Sequence, residues 1–476
     1  MSSAKDAIGF VDSATSKIAE AINNQDWVQA EFLLDSLCIS GIDFDQSEEQ
    51  KIEEFYGIIY HRTERLEEAA KHFAQVTQEN ACPYALFNAA LFWSDYGDHA
   101  KARGLLFSAL EKNDKWGVAE KMLGQTYQRE GRHSEAIYFF RRALERDPSN
   151  DSWRETYALS LLSNKDFSEG WHQFEHRKKS WNLEWLRDDW EVGETIEDKK
   201  VAVIVDEGVG DAIMFSPLLE RLAQETDEHV VYCDARLITL MQRSYKSINF
   251  ESRVVGEGHK RYDRRIRLAS LGALYWTDYN RIQPRSKYLV CDEVAVSRCR
   301  EELRRLSGQI AIGYAWGANN EDKTERDRKR INHRDIKNIL RTEEVDWVCL
   351  QHKASEKEIE EISLETGVHV HWIPGLTDNI DSLASMIQAL DLVICSEQTV
   401  AHIAGALGIP CIVIGGKTLG WRYNCGSIKP GELSQSLWYE SVRIIKSDDS
   451  ALEGLCKAAI KAALRNYRQE NEYLLG

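Results

Sequence analysis

Two short stretches hold residues whose types and spacing could do chemistry. The first is Ser396-Glu397-Gln398-Thr399, set between an apolar run, Leu392-Val393-Ile394-Cys395, and a helical pattern. The apolar run suits a strand buried on both faces. The four polar residues supply turn and helix-cap chemistry. Val400, Ile403, Ala404 and Leu407 then recur at helical spacing, Gly408 closes the helix and Pro410 lies just beyond it. Ile412-Val413-Ile414 forms a second strand. The stretch predicts a β-α-β crossover whose helix opens at the carboxyl edge of a parallel sheet. Backbone N–H groups and the helix dipole at such a spot attract a phosphate.

The second stretch is Asp206-Glu207-Gly208-Val209-Gly210-Asp211, which follows the strand-like Val201-Ala202-Val203-Ile204-Val205 and precedes a helix beginning near Ala212. Gly208 and Gly210 permit positive φ and close approach of a ligand to the backbone. Asp211 has two readings. It caps the helix, or it points into a cleft and takes a proton from an acceptor hydroxyl.

These stretches need elements to hold them. Around the second, strands are expected at residues 230–233, 250–255 and 262–266. Around the first, residues 310–316 form a strand ending in Gly317-Ala318-Asn319-Asn320. A polar loop follows with Lys323, Arg326, Arg328, Lys329 and Arg330. It is a solvated surface loop, or it brings a cation to a diphosphate, with Arg330 the first choice. Further strands are expected at residues 346–351 and 369–373, and a helix at 382–390. His369 and His371 read as strand-face residues, and no carboxylate cluster beside them suggests a metal. Two successive α/β units, each with a ligand-facing strand–helix turn, leave a cleft between them.

Ahead of them, residues 1–177 carry no convincing strand but do carry a repeat. Leu123, Gly124, Tyr127, Ala136, Phe140, Ala143 and Pro148 match the tetratricopeptide pattern over its period of about 34 residues. Ala89, Ala90, Trp93, Ala102, Leu106 and Ala109 stand one period upstream; Gly57, Tyr60, Ala69, Phe73 and Val76 another. Tyr157, Ala158, Leu161, Gly170 and Phe174 keep the register downstream, and Asp26 to Ala30 with Leu34 is a degenerate first unit. Such an array offers a concave face to a protein or peptide, or serves as a spacer or a homodimer surface. Residues 178–198 form a junction in which Trp181, Trp185 and Trp190 read as interdomain core.

Composition limits the partners. Net charge is −17, which argues against nucleic acid or an anionic membrane. No apolar run resembles a signal peptide or spans a bilayer. The ten cysteines are scattered without a C-x-x-C pair, as suits free thiols in a reducing cytoplasm.

Residues 207–215 resemble the glycine-rich motif of the heptosyltransferase-like glycosyltransferases of the GT-B fold, and residues 397–410 resemble that family's donor-site motif. Trp421-Arg422-Tyr423 and Trp438-Tyr439 resemble its later aromatic landmarks. Gly170-Trp171 with Phe174 and Arg177 resembles the bacterial subgroup that fuses tetratricopeptide repeats to this domain. The resemblance implies an α plus α/β chain: helical repeats over 1–177, then Rossmann-like domains at 199–300 (acceptor side) and 301–476 (donor side, with a C-terminal helix). It implies inverting, metal-independent and cofactor-free transfer from a nucleotide sugar to an acceptor hydroxyl, on a protein such as flagellin docked by the repeats. Asp211 falls at the family's general base, with Gly208 and Gly210 beside it. Ser396, Glu397, Gln398, Thr399, Val400 and His402 fall at the donor motif. Arg330 matches a basic position opposite the diphosphate, and Trp316, Gly317 and Gln351 match positions around nucleotide and sugar. Glu397-Gln398 stands where the family commonly has Asp-Thr or Asp-Ser. That departure motivates an alternative, a degenerate repeat scaffold that keeps a nucleotide-binding domain.

Overall fold

The computed structural model describes residues 2–40, 42–76, 81–177, 190–252, 261–306, 310–317, 328–416, 418–424 and 428–475. Trp181, Trp185, Val254, Val255, and the loop positions Ala318, Asn319, Asn320, Lys323 and Arg326 lie outside them. The chain divides into two compact units, residues 1–160 and 161–476.

The first unit is a run of paired helices from Ser2–Asn23 through His133–Arg146, and helix Asp151–Ser163 crosses its boundary. Pairing depends on small residues at helix crossings. A Cβ on Gly57 would stand 2.8 Å from the Phe73 ring, and one on Gly124 would stand 2.8 Å from the Phe140 ring. In both repeats the phenylalanine follows its glycine at the same chain distance, so one steric device is used twice. Ala89, Ala102, Leu106, Leu123, Ala136 and Ala143 are fully buried at the matching positions. Side-chain caps set several starts: Asp98 accepts from the Lys101 N–H, and Asp45 with Glu48 forms a capping box.

The sequence carries the repeat to 177, but the compact first unit ends at Ser160 and residues 161–177 belong to the second. Aromatic packing explains this. Trp171 is fully buried, its indole N–H donates to the Trp276 carbonyl at 2.9 Å, and a Cβ on Gly272 would clash with its ring. Phe215, Trp421 and Trp276 crowd the same indole, and Trp438 lies tilted against Trp276 with ring centroids 4.7 Å apart. Of the junction residues, Trp190 is buried, with its ring N–H on the Glu194 carbonyl.

The second unit holds two sheets. The first, ordered β3-β2-β1-β4, is wholly parallel: β1 (Lys200–Ile204), β2 (Glu228–Cys233), β3 (Phe250–Ser252) and β4 (Arg264–Arg267). The second is mixed and ordered β10-β11-β9-β8-β5-β6-β7. Its strands are β5 (Ile310–Ala315), β6 (Val345–Cys349), β7 (Val370–His371), β8 (Leu392–Cys395), β9 (Cys411–Gly415), β10 (Ser434–Gln435) and β11 (Val442–Lys446). Only β10 runs antiparallel. β10 and β11 were not anticipated, and β7 is shorter than its apolar run.

Strand order matters for function. In the first sheet the chain builds outward from β1 to β3, then returns to lay β4 on the other side of β1. In the second it builds from β5 to β7, then returns to lay β8 on the other side of β5. Each return is a switch point where neighbouring strand-end loops diverge and leave a crevice. The turn after β1 carries Asp211; the turn after β8 carries Glu397 and Thr399.

Candidate functional site

The turn after β1 is held from below by buried ion pairs. Arg267 pairs with Asp206 at 2.9 Å, both side chains being 2% exposed. Arg177 is 3% exposed and reaches Glu175 at 3.0 Å and Glu207 at 3.4 Å. Burial, then the neighbouring Asp206 charge, pushes the Glu207 carboxyl up to about 8. Arg177, singled out by resemblance, thus buttresses the turn.

Helix Val209–Phe215 begins directly after Gly208, earlier than the expected start near Ala212. Neither Gly208 nor Gly210 takes a positive φ, contrary to expectation. Gly208 is the N-cap, and a Cβ there would meet nothing within 4 Å. Gly210 is small for another reason. A Cβ would stand 2.8 Å from His402 Cδ2 and 3.3 Å from Thr399 Cα. The close neighbour is the helix of the other sheet, not a ligand.

That helix, Thr399–Leu407, follows β8 and has no side-chain cap; Gln398 at the N-cap instead donates to Ser396 Oγ at 3.0 Å. It ends at Gly408 with φ 74°, as the sequence indicated. Asp211 and Thr399 line one cleft of 860 Å³ with Gly208, Gly210, Gln398, Val400 and His402. Its walls are cationic: Arg236, Lys329, Lys353 and Arg422, with His352. Lys353 sits in the left-handed region at φ 56°, uncommon for a side chain of its size.

Both carboxylates of the cleft are engaged. Asp211 is not a cap; each of its oxygens accepts from the guanidinium of Arg422, a fork-to-fork ion pair between residues on different sheets. Glu397, in the donor-motif stretch, also lines the cleft. One of its oxygens accepts from Arg328 at 3.0 Å, the other from the Gly420 N–H at 2.8 Å, and its side chain is wholly buried.

His402 forms the pivot. Nδ1 lies 2.8 Å from the Tyr439 hydroxyl and Nε2 lies 3.0 Å from the Tyr423 hydroxyl. A neutral ring has one donor and one acceptor, so one tyrosine donates and the other accepts. Burial dominates its titration, with Arg422 and Lys329 adding to the effect, and pushes it down to about 4. At neutral pH the imidazole is uncharged.

Three expected donor contacts are structural instead. Trp316 is 2% exposed, packed on Tyr314 and His333, so its ring is core. Gln351 is buried and binds backbone: Oε1 accepts from the N–H groups of Trp316 and Gly317 at 3.0 and 2.9 Å, and Nε2 donates to the Gly317 carbonyl at 2.8 Å. The three fasten the end of β5. Arg330 is exposed and outside the cleft lining, whereas its neighbour Lys329 lines the cleft. The sequence reading named Lys329 among the loop cations but put Arg330 first, and it did not single out Lys353, Arg422 or the two tyrosines as site residues. Arg422, Tyr423 and Tyr439 stood within the aromatic landmarks, which was the available signal. Among the described residues no group of three or more His, Cys, Asp or Glu side chains could hold a metal ion.

With that geometry in place, known proteins can be compared. Residues 119–150 match the tetratricopeptide repeat family. Protein FlbA of Caulobacter vibrioides is 23% identical over 336 residues, covering 65% of this chain and 54% of that protein. The chain thus spans about half the length of that relative. Among solved structures, a MamA structure (AMB-1) aligns at TM-score 0.30 and 20% identity, covering 35% of this chain and 96% of its own. PilF of Pseudomonas aeruginosa aligns at TM-score 0.33 and 11% identity, covering 38% and 80%. The N-terminal part is a tetratricopeptide-like helical array, followed by α/β structure with a parallel and a mixed sheet. Among the described residues, no helix is long and apolar enough to cross a membrane.

Proposed function

We propose that the chain is a glycosyltransferase of GT-B type, moving a sugar from a nucleotide sugar to an acceptor hydroxyl on a polypeptide docked by the repeats. One observation carries this reading. Asp211 and the uncapped start of helix Thr399–Leu407, distant in sequence and on different sheets, share one cation-walled cleft.

In the proposed reaction the acceptor oxygen attacks the anomeric carbon from the Asp211 side. Its proton passes to Asp211, and the bond to the diphosphate breaks with its electron pair. The leaving nucleoside diphosphate gathers negative charge, which the N–H groups of Thr399 and Val400 and the Lys329 ammonium would stabilise. Neutral His402 would hold the helix start in place through its tyrosines rather than move a proton. Tetratricopeptide arrays present concave surfaces that suit polypeptides, which supports a protein acceptor and a protein-binding role for residues 1–160.

Two measurements test the proposal on the full chain. Some nucleotide sugar should be hydrolysed or transferred, and Asp211→Asn should lower turnover by about 10²–10⁴-fold while nucleotide binding persists. Unchanged turnover in that variant removes Asp211 from the mechanism. A second reading, a nucleotide-binding scaffold without turnover, is favoured by the closure of Glu397 onto Arg328 and Gly420. It predicts binding of a nucleoside diphosphate with no transfer from any donor.

A further inference from the structure

A general base needs a lone pair open to the hydroxyl it deprotonates. Here each Asp211 oxygen accepts one hydrogen bond from the Arg422 fork, which fixes the orientation of the carboxylate, and the Asp211 and Arg422 side chains are 18% and 29% exposed. Arg422 lines the cleft beside Asp211 and its fork sets which way the base faces, and its surroundings suit a residue with two positions. Its backbone is pinned, since the Trp438 indole N–H donates to the Arg422 carbonyl at 2.7 Å. Its guanidinium lies over the Trp421 ring at 4.7 Å, a face along which a planar cation can slide. The acceptor it would move to is the anion site already argued for.

We infer that Arg422 is a positioning residue that exchanges partners. It holds Asp211 when no diphosphate competes, and it swings to the donor diphosphate, releasing Asp211 as base, when one does. This rests on the glycosyltransferase reading and adds an order to it: the donor engages before the acceptor is activated. Guanidinium pairs bidentately with carboxylate and with phosphate alike, and a diphosphate carries more charge than one carboxylate. The other groups facing the pair are consistent with the exchange. Thr399 and neutral His402 approach from the facing helix, Lys329 adds positive charge, and Glu397 is occupied by Arg328. Glu207, another carboxyl acting on Arg422, is buried beneath the turn.

Pyrophosphate affinity, measured by titration calorimetry on the full chain, tests the exchange without requiring turnover or the right nucleobase. If pyrophosphate must take Arg422 from Asp211, then Asp211→Asn removes the competitor. That variant should bind inorganic pyrophosphate about three- to tenfold more tightly than the wild type. Arg422→Gln should weaken binding about tenfold or more, and the Asp211→Asn gain should vanish in the double variant. Arg422→Lys, which keeps the charge without the fork, should fall between. A bridge that serves only to join the two lobes predicts equal or weaker binding in Asp211→Asn. That result, or a gain that survives in Arg422→Gln, overturns the inference and leaves the proposed activity standing. Failure of pyrophosphate and of nucleoside diphosphates to bind any variant overturns both. Circular dichroism of each variant separates lost folding from lost binding.

Discussion

His402 makes the acid stability of this protein predictable. Its ring is 3% exposed and bridged by two tyrosine hydroxyls, and it titrates near 4 instead of the ordinary 6.5. Burial is the main cause; the nearby Asp211 charge favours the protonated form, and the Arg422 and Lys329 charges oppose it. In the unfolded chain the same imidazole takes up a proton at about 6.5. Above that pH both states are neutral here and the residue contributes no pH dependence. As pH falls from 6.5 toward 4, the unfolded state gains a proton that the folded state refuses, so stability drops. The loss is about 1 kcal/mol at pH 5.5 and roughly 2–3 kcal/mol at pH 4.5. His402→Gln cannot titrate, yet its amide can still donate to one tyrosine and accept from the other. Urea midpoints of wild type and His402→Gln at pH 7.5, 5.5 and 4.5, followed by tryptophan fluorescence, isolate the effect because every other histidine is common to both. The variant should be less stable than wild type at pH 7.5, and the gap should narrow or reverse toward pH 4.5. Parallel losses in the two proteins would refute the buried, neutral His402.

The two glycines of the turn after β1 should behave oppositely. Gly210→Ala meets His402 and Thr399, an overpacking cost of about 1–3 kcal/mol that a helix-propensity gain of about 1 kcal/mol only partly offsets. Gly208→Ala has open space and an ordinary extended conformation, so its melting temperature should stay within error of wild type. Gln351→Ala leaves the Trp316 and Gly317 amides without their buried acceptor, at a cost of about 1–3 kcal/mol. Hydrogen exchange at those two amides should quicken, whereas unchanged protection would mean the end of β5 does not depend on Gln351.

How much of this was legible in the chain depends on the range of the interaction. The strand–turn–helix around Thr399 could be read residue by residue. A doubly buried strand must be apolar throughout, a helix must repeat its apolar face, and a left-handed C-terminus calls for glycine at 408. The repeats were legible for a similar reason: each period must place a small residue where the next helix crosses, so Gly57 and Gly124 announce Phe73 and Phe140. The side-chain pairings were not. Asp211 and Arg422, Glu397 and Arg328, His402 with Tyr423 and Tyr439 all join residues that no periodicity links. Arg330 and Lys329 are adjacent, and only the tertiary placement of residues 328–330 decides which faces the cleft. Trp316, Gly317 and Gln351 stood at positions suited to a ligand, yet the strand end used their hydrogen-bonding capacity for itself. Local sequence specifies which face of each element is buried, because burial is a one-body property of pattern. Which partner meets a given charge is a property of two elements and the strand order that brings them together. The switch points beside β1 and β5, where the chain reverses its direction of growth, exist only once the sheets are assembled.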